Sequence, residues 1–110
     1  MEEDLLKIIE HFGINNQQRK LHEELFELNE AITIYEQGNN QSCDDIGEEI
    51  ADICVILRQF MEIYNITQDE ISERMANKIN RTLERIESGY YEKWFYYINR
   101  YKATKRITYN

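Results

Sequence analysis

Two acidic clusters carry the residue types and spacing most able to do chemistry in this chain: Glu23-Glu24-Leu25-Phe26-Glu27 and Glu48-Glu49-Ile50-Ala51-Asp52. Each holds two carboxylates three residues apart, Glu24 with Glu27 and Glu49 with Asp52. On a helix, residues at that separation share a face. If the two helices pack antiparallel, four carboxylates can converge on one point. Like charges so close repel, and the point then needs a cation or bound protons. An all-oxygen donor set favours Mg2+, Mn2+ or Ca2+ over Zn2+, and Mg2+ is the natural occupant. Most acidic helix faces are merely solvated. These clusters differ because they contain almost no compensating Lys or Arg at helical spacing and flank an apolar stripe instead of opposing it.

Neither cluster holds the Glu-x-x-His pair of a di-iron bundle, which disfavours an oxidase. His22 directly precedes the acids and points elsewhere on a helix. Hard cations held by carboxylates commonly handle phosphate oxygens, and a spare carboxylate can serve as general base. Glu23 and Glu48 are spare acids beside the candidate ligands, and Glu30 lies one turn beyond Glu27.

A basic row complements the acids. Lys78, Arg81 and Arg85 recur at steps of three and four, and Arg74 extends the row. A solvated face paired with Asp69, Glu70 or Glu84 would look the same. As a functional element the row is a phosphate clamp, since Arg grips phosphate in a bidentate way and Lys acts as a point charge. A row of three suits a triphosphate.

The elements that must position these groups are helices. Residues 2–12 form an amphipathic segment ended by Gly13, with Asn15 or Asn16 available to cap the next helix. Residues 16–37 carry Leu21, Leu25, Leu28, Ile32 and Tyr35 at helical steps, up to a break at Gly38-Asn39-Asn40. Ser42 with Asp45 caps residues 43–64, whose stripe is Ile46, Ile50, Ile53, Leu57, Phe60 and Tyr64. The short connection predicts that these two helices are antiparallel neighbours. Thr67-Gln68-Asp69-Glu70 is a capping box opening a helix that runs to Ser88-Gly89, with Ile71, Met75, Ile79, Leu83 and Ile86 on one side. Residues 90–110 are rich in aromatics, and Trp94, Ile98 and Tyr101 suit a fifth short helix, followed by a strand or frayed end over 107–110. The expectation is one all-α domain over 1–110, a four- to five-helix bundle.

At this point the motifs resemble a known family. The run from Lys20 to Leu28, followed by Glu48-Glu49-Ile50-Ala51-Asp52-Ile53, is similar to the Glu-x-x-Glu and Glu-x-x-Asp motifs of the MazG-like all-α nucleoside triphosphate pyrophosphohydrolases. The stretch from Lys78 to Tyr91 is similar to that family's third, phosphate-holding element, and the resemblance spans about residues 15–91. It implies that Glu24, Glu27, Glu49 and Asp52 ligate Mg2+, with Mn2+ as substitute. It implies that Lys78, Arg81 and Arg85 contact phosphates. The implied reaction converts an NTP or dNTP to its monophosphate and pyrophosphate, in dimers or tetramers. On this reading Glu23 or Glu48 handles the attacking water. Phosphoribosyl-ATP pyrophosphohydrolases are an enzymatic alternative, although they lack the Lys-x-x-Arg-x-x-x-Arg continuation. A non-catalytic helical interaction module is the alternative of another class.

Composition bounds the partners. The chain has 110 residues and a formal net charge of −8, with no proline and four glycines, which suits long helices. Residues 1–64 hold 15 acidic and 4 basic side chains, whereas residues 65–110 hold 6 acidic and 9 basic. Net acidity disfavours a nucleic-acid polymer as partner. No apolar run is long enough for a membrane span, and an acidic start is unlike a signal peptide. Cys43 and Cys54 read as reduced thiols, with Cys54 in the core, and a cytoplasmic location follows. Phe26, Val55, Ile56 and Met61 lie outside the main stripes, so the sequence predicts a homodimer or tetramer.

Overall fold

A computed structural model describes residues 1–38 and 43–92. They form four helices, α1 (Glu2–Phe12), α2 (Ile14–Glu36), α3 (Cys43–Ile63) and α4 (Gln68–Glu87), with no strand among the described residues. The four helices predicted over residues 2–89 are present, with ends shifted by two residues at most. The Ser42 cap and the fifth helix or strand expected beyond residue 92 lie outside the described residues.

The chain divides into two compact units, Met1–Thr67 and Gln68–Asn110. The division falls at the capping box. The expectation of one domain over 1–110 is a statement about how these units associate.

Gly13 makes the junction of α1 and α2. Its φ of 86° is costly for any residue with a Cβ. Its N–H donates to Ile9 O at 2.8 Å, closing α1, and its carbonyl accepts the Gln17 N–H at 3.1 Å, opening α2. Asn16 does not cap α2 as expected. Its Nδ2 donates backward to Phe12 O at 2.7 Å, because α2 starts at Ile14 and Asn16 already lies within its first turn.

Within the first unit α1 packs on both α2 and α3, and α2 packs on α3. The apolar core is Leu5, Ile9, Ala31, Ile53 and Ile56. A fully buried aliphatic side chain of this kind contributes roughly 1.5–3 kcal/mol. The stripes of α2 and α3 each divide into two parallel rows, of which one is the more enclosed, although Tyr35 at its end on α2 is exposed, and the α4 stripe from Met75 to Ile86 is exposed. Leu21 and Leu28 on α2, and Ile46, Ile53 and Phe60 on α3, are half-buried or buried. Leu25, Ile32, Ile50, Leu57 and Tyr64 are exposed. Within this unit α1 alone packs on the α2–α3 pair, and the second rows stay exposed.

Two further expectations are corrected. Ile56, expected outside the main stripe, belongs to the core. Cys54, expected in the core, is exposed, because its neighbour Ile53 takes the inward position. No helix among the described residues is long and apolar enough to cross a membrane.

Candidate metal centre

The seam between α2 and α3 is unusual in what it buries. On α2 the buried residues are Gln17, Glu24 and Ala31, each seven residues, or two turns, from the next. On α3 they are Ile53, Ile56 and Gln59. Two amides and a carboxylate therefore occupy positions where apolar side chains would be cheaper. Gln17 Nε2 donates to Gln59 Oε1 at 2.8 Å, which offsets part of that cost.

Glu24 is 3% exposed, yet it carries a charge. Lys20, one turn earlier, donates from Nζ to Glu24 Oε1 at 2.9 Å. That bond is the main reason the Glu24 carboxyl is held below the usual carboxylate range, burial acting against it. The same bond raises the Lys20 ammonium above its ordinary value. Glu24 Oε2 remains, sealed from solvent and without a hydrogen-bond partner.

From α3, Glu49 and Asp52 meet Glu24. One carboxylate oxygen of each lies within 4.8 Å of those of the other two. Glu49 Oε2 is, like Glu24 Oε2, sealed and unpartnered. Burial, then a hydrogen bond shared with Glu24, then the Glu27, Glu24 and Asp52 charges push the Glu49 carboxyl up to about 7. Three converging carboxylates with one compensating ammonium thus leave the site short of positive charge, and one acid answers by holding a proton near neutral pH.

Three of the four expected ligands are brought together: Glu24, Glu49 and Asp52. Glu27 is not one of these three but lies beside them, near enough to act on both Glu24 and Glu49. It is exposed and lines a depression of about 180 Å³ with Glu30, Ala31, Ile34 and Glu49, close enough for its charge to act on Glu49. Glu23 is exposed and, with Glu24 and Asp52, lines a cavity of about 570 Å³ between α1, α2 and α3. Glu48 is exposed and is not part of that wall. His22 is exposed on α2, outside the triad.

The basic row belongs to the second unit. Lys78 and Arg81 are exposed on α4, and Lys78 lines a shallow depression with Ile79, Thr82 and Leu83. Arg85 is half-buried, with its guanidinium 4.6 Å from the centre of the Tyr90 ring, a cation–π contact that occupies one face of the group.

Sequence reasoning missed three residues of this site: Gln17, Lys20 and Gln59. The amides had a readable signal. Gln17 lies seven residues before Glu24, and Gln59 seven after Asp52, so each shares a helix face with an acid of the site. Lys20 was legible as the i, i+4 partner of Glu24. The chain matches no protein-family model, no curated protein and no solved structure.

Proposed function

We propose that this chain is a divalent-cation-dependent nucleoside triphosphate pyrophosphohydrolase, converting an NTP or dNTP to its monophosphate and pyrophosphate in the cytoplasm. The observation that carries the reading is the pair of sealed, unpartnered oxygens, Glu24 Oε2 and Glu49 Oε2, in a carboxylate triad of which Glu24 and Asp52 line a cavity. Orphaned carboxylate oxygens cost stability unless a cation takes them, so the donor set fits a hard metal ion. Glu24, Glu49 and Asp52 would hold Mg2+ or Mn2+, with Glu27 alongside as the outer fourth acid. When bound, the ion would neutralise these acids and screen charge on the phosphate oxygens.

The chain's own residues have separate tasks. Glu23, on the cavity wall, is better placed than Glu48 to orient a water and take its proton. The water oxygen bonds to phosphorus, the bridging P–O bond between α- and β-phosphates breaks, and pyrophosphate leaves. Lys78, Arg81 and Arg85 are the cations that the motif resemblance assigns to the phosphates. Lys20 holds Glu24 ionised through its bond to Oε1.

Several features support a MazG-like arrangement beyond the motifs. Gln17 meets Gln59, while Glu24 meets Asp52 and Glu49. Residue numbers that rise on α2 while falling on α3 support an antiparallel pair. The exposed second rows, together with Phe26 at 68% exposure, support a homodimer or tetramer covering this face.

The test is pyrophosphate release from the common NTPs and dNTPs with Mg2+, on the native chain and on Asp52→Asn. The native chain should release pyrophosphate, and the variant should lose turnover with its helical circular dichroism unchanged, since Asp52 is exposed. No release from any substrate by folded protein would overturn the proposal.

A further inference from the structure

The cavity of about 570 Å³ beside the triad is lined wholly by residues of the unit Met1–Thr67. Two columns of α2 form one wall of it. Gln17, Lys20 and Glu24 recur at steps of three and four, and so do Asn16, Arg19 and Glu23. The first column is committed. Gln17 donates to Gln59, and Lys20 donates to Glu24 at 2.9 Å. In the second column Asn16 donates back to Phe12 O, whereas Arg19 is exposed and has no hydrogen-bond or ion-pair partner among the described residues. Glu23 follows Arg19 at the same spacing by which Glu24 follows Lys20, yet that pair is not made.

Charge shows what Arg19 is left to do. A divalent cation on Glu24, Glu49 and Asp52, with Lys20 beside them, balances that corner of the cavity. The remaining charge of a bound polyanion must then be met elsewhere on the wall. The basic residues of 1–64 are Lys7, Arg19, Lys20 and Arg58, of which only Arg19 and Lys20 line the cavity. Lys20 is spent on Glu24, so Arg19 is the uncommitted cation on the wall that also carries Glu24 and Asp52. Its planar fork of N–H donors matches a pair of phosphate oxygens, which an ammonium cannot do. Binding there breaks no ion pair within the chain.

We infer that Arg19 is the polyphosphate-binding cation of this cavity, a contact beyond those the motifs assign; the choice of a polyphosphate, out of all anions, rests on the pyrophosphohydrolase reading. Lys78, Arg81 and Arg85 belong to the other compact unit, whereas Arg19 shares both its unit and its cavity with the triad.

The experiment uses inorganic tripolyphosphate, which offers the anion without base or sugar. Calorimetric titration with Mg2+ in excess compares the native chain with Arg19→Gln, Arg19→Lys and Lys7→Gln. Arg19→Gln should weaken binding about 10- to 100-fold, the scale of a hydrogen-bonded contact to a charged group. Arg19→Lys should recover only part of that loss. Lys7→Gln makes the same charge change at an exposed residue outside the cavity wall, and it should alter binding less than about twofold. Arg19→Gln should also melt as the native chain does, since it removes no contact. No native binding at millimolar tripolyphosphate, native affinity in Arg19→Gln, or an equal loss in Lys7→Gln would overturn the inference. Pyrophosphate release from NTPs on the same samples separates the two proposals. Release by the native chain with tripolyphosphate binding indifferent to Arg19 defeats this assignment alone. Arg19-dependent binding without release from any nucleotide defeats the hydrolase reading and leaves the anion site standing.

Discussion

Adding Mg2+ to metal-free protein should stabilise the fold, and the gain should be larger above neutral pH than below it. The site supplies the sign and the scale. Glu24, Glu49 and Asp52 converge within 4.8 Å, and Lys20 balances only one of them. Without metal, strain is relieved by a proton on Glu49, whose pKa is raised from 4.5 to about 7. A folded-state value raised this way contributes stability that is complete below 4.5 and is lost as pH rises through about 7. Metal-free protein should therefore melt at lower temperature near pH 8 than near pH 6, about these two values, by the sign of that linkage. The metal-bound form runs the other way, since the cation must displace that proton. Below about 7, each unit of acidification weakens binding up to tenfold. At a cation concentration ~100 times Kd, mass action adds about 2.7 kcal/mol. For a domain of this size that is a rise in Tm of roughly 10–20 °C. The assay is thermal melting followed by circular dichroism, with Mg2+ or with chelator, on both sides of neutrality. Glu49→Gln supplies the control: its metal-free Tm should be flat across this range and its Mg2+ increment much reduced. A Mg2+ increment equal on both sides of neutrality, or absent from both, would refute the reasoning.

Lys20→Met should tighten Mg2+ binding, measured by calorimetry, because it removes a positive charge from Glu24; since it leaves the buried Glu24 carboxylate without its partner, the metal-free fold should lose roughly 1–3 kcal/mol. Ile56→Ala should destabilise by roughly 2–4 kcal/mol in denaturant melts, because Ile56 is 4% exposed and its neighbours on α1 and α2 cannot close the gap. Light scattering at micromolar concentration should give a dimer or tetramer, and Phe26→Glu, placed on the exposed apolar face, should shift it toward monomer. A monomer mass for the native chain would contradict this assignment of the exposed rows.

Much of the helical layout was legible because it is local. Gly13 and Thr67-x-x-Glu70 mark boundaries through backbone chemistry that needs no tertiary context, and α1 to α4 begin and end near the expected places. The meeting of Glu24, Glu49 and Asp52 was legible for a related reason: the three-residue spacing fixes a common face on each helix, and a short connection brings the helices together. What periodicity could not settle is which row of a two-row stripe turns inward. Leu21 and Leu25 are equally apolar, and only the position of α1 decides that Leu21 is more enclosed and Leu25 exposed. The same rotation brings Ile56 in and turns Cys54 out. Glu27 illustrates the limit for charges, since its spacing predicts a ligand while the register leaves it beside Glu49 and outside the triad. The Gln17–Gln59 bond spans 42 residues of sequence, and polar residues at buried positions run against the pattern by which cores are read.

The central claim is tested most directly by phosphorus NMR of an NTP incubated with the native chain and Mg2+. The account predicts that the triphosphate signals are replaced by those of the monophosphate and pyrophosphate, that chelator stops the conversion, and that Asp52→Asn abolishes it. Triphosphate signals unchanged for every nucleotide, or replacement by diphosphate and orthophosphate, would contradict it.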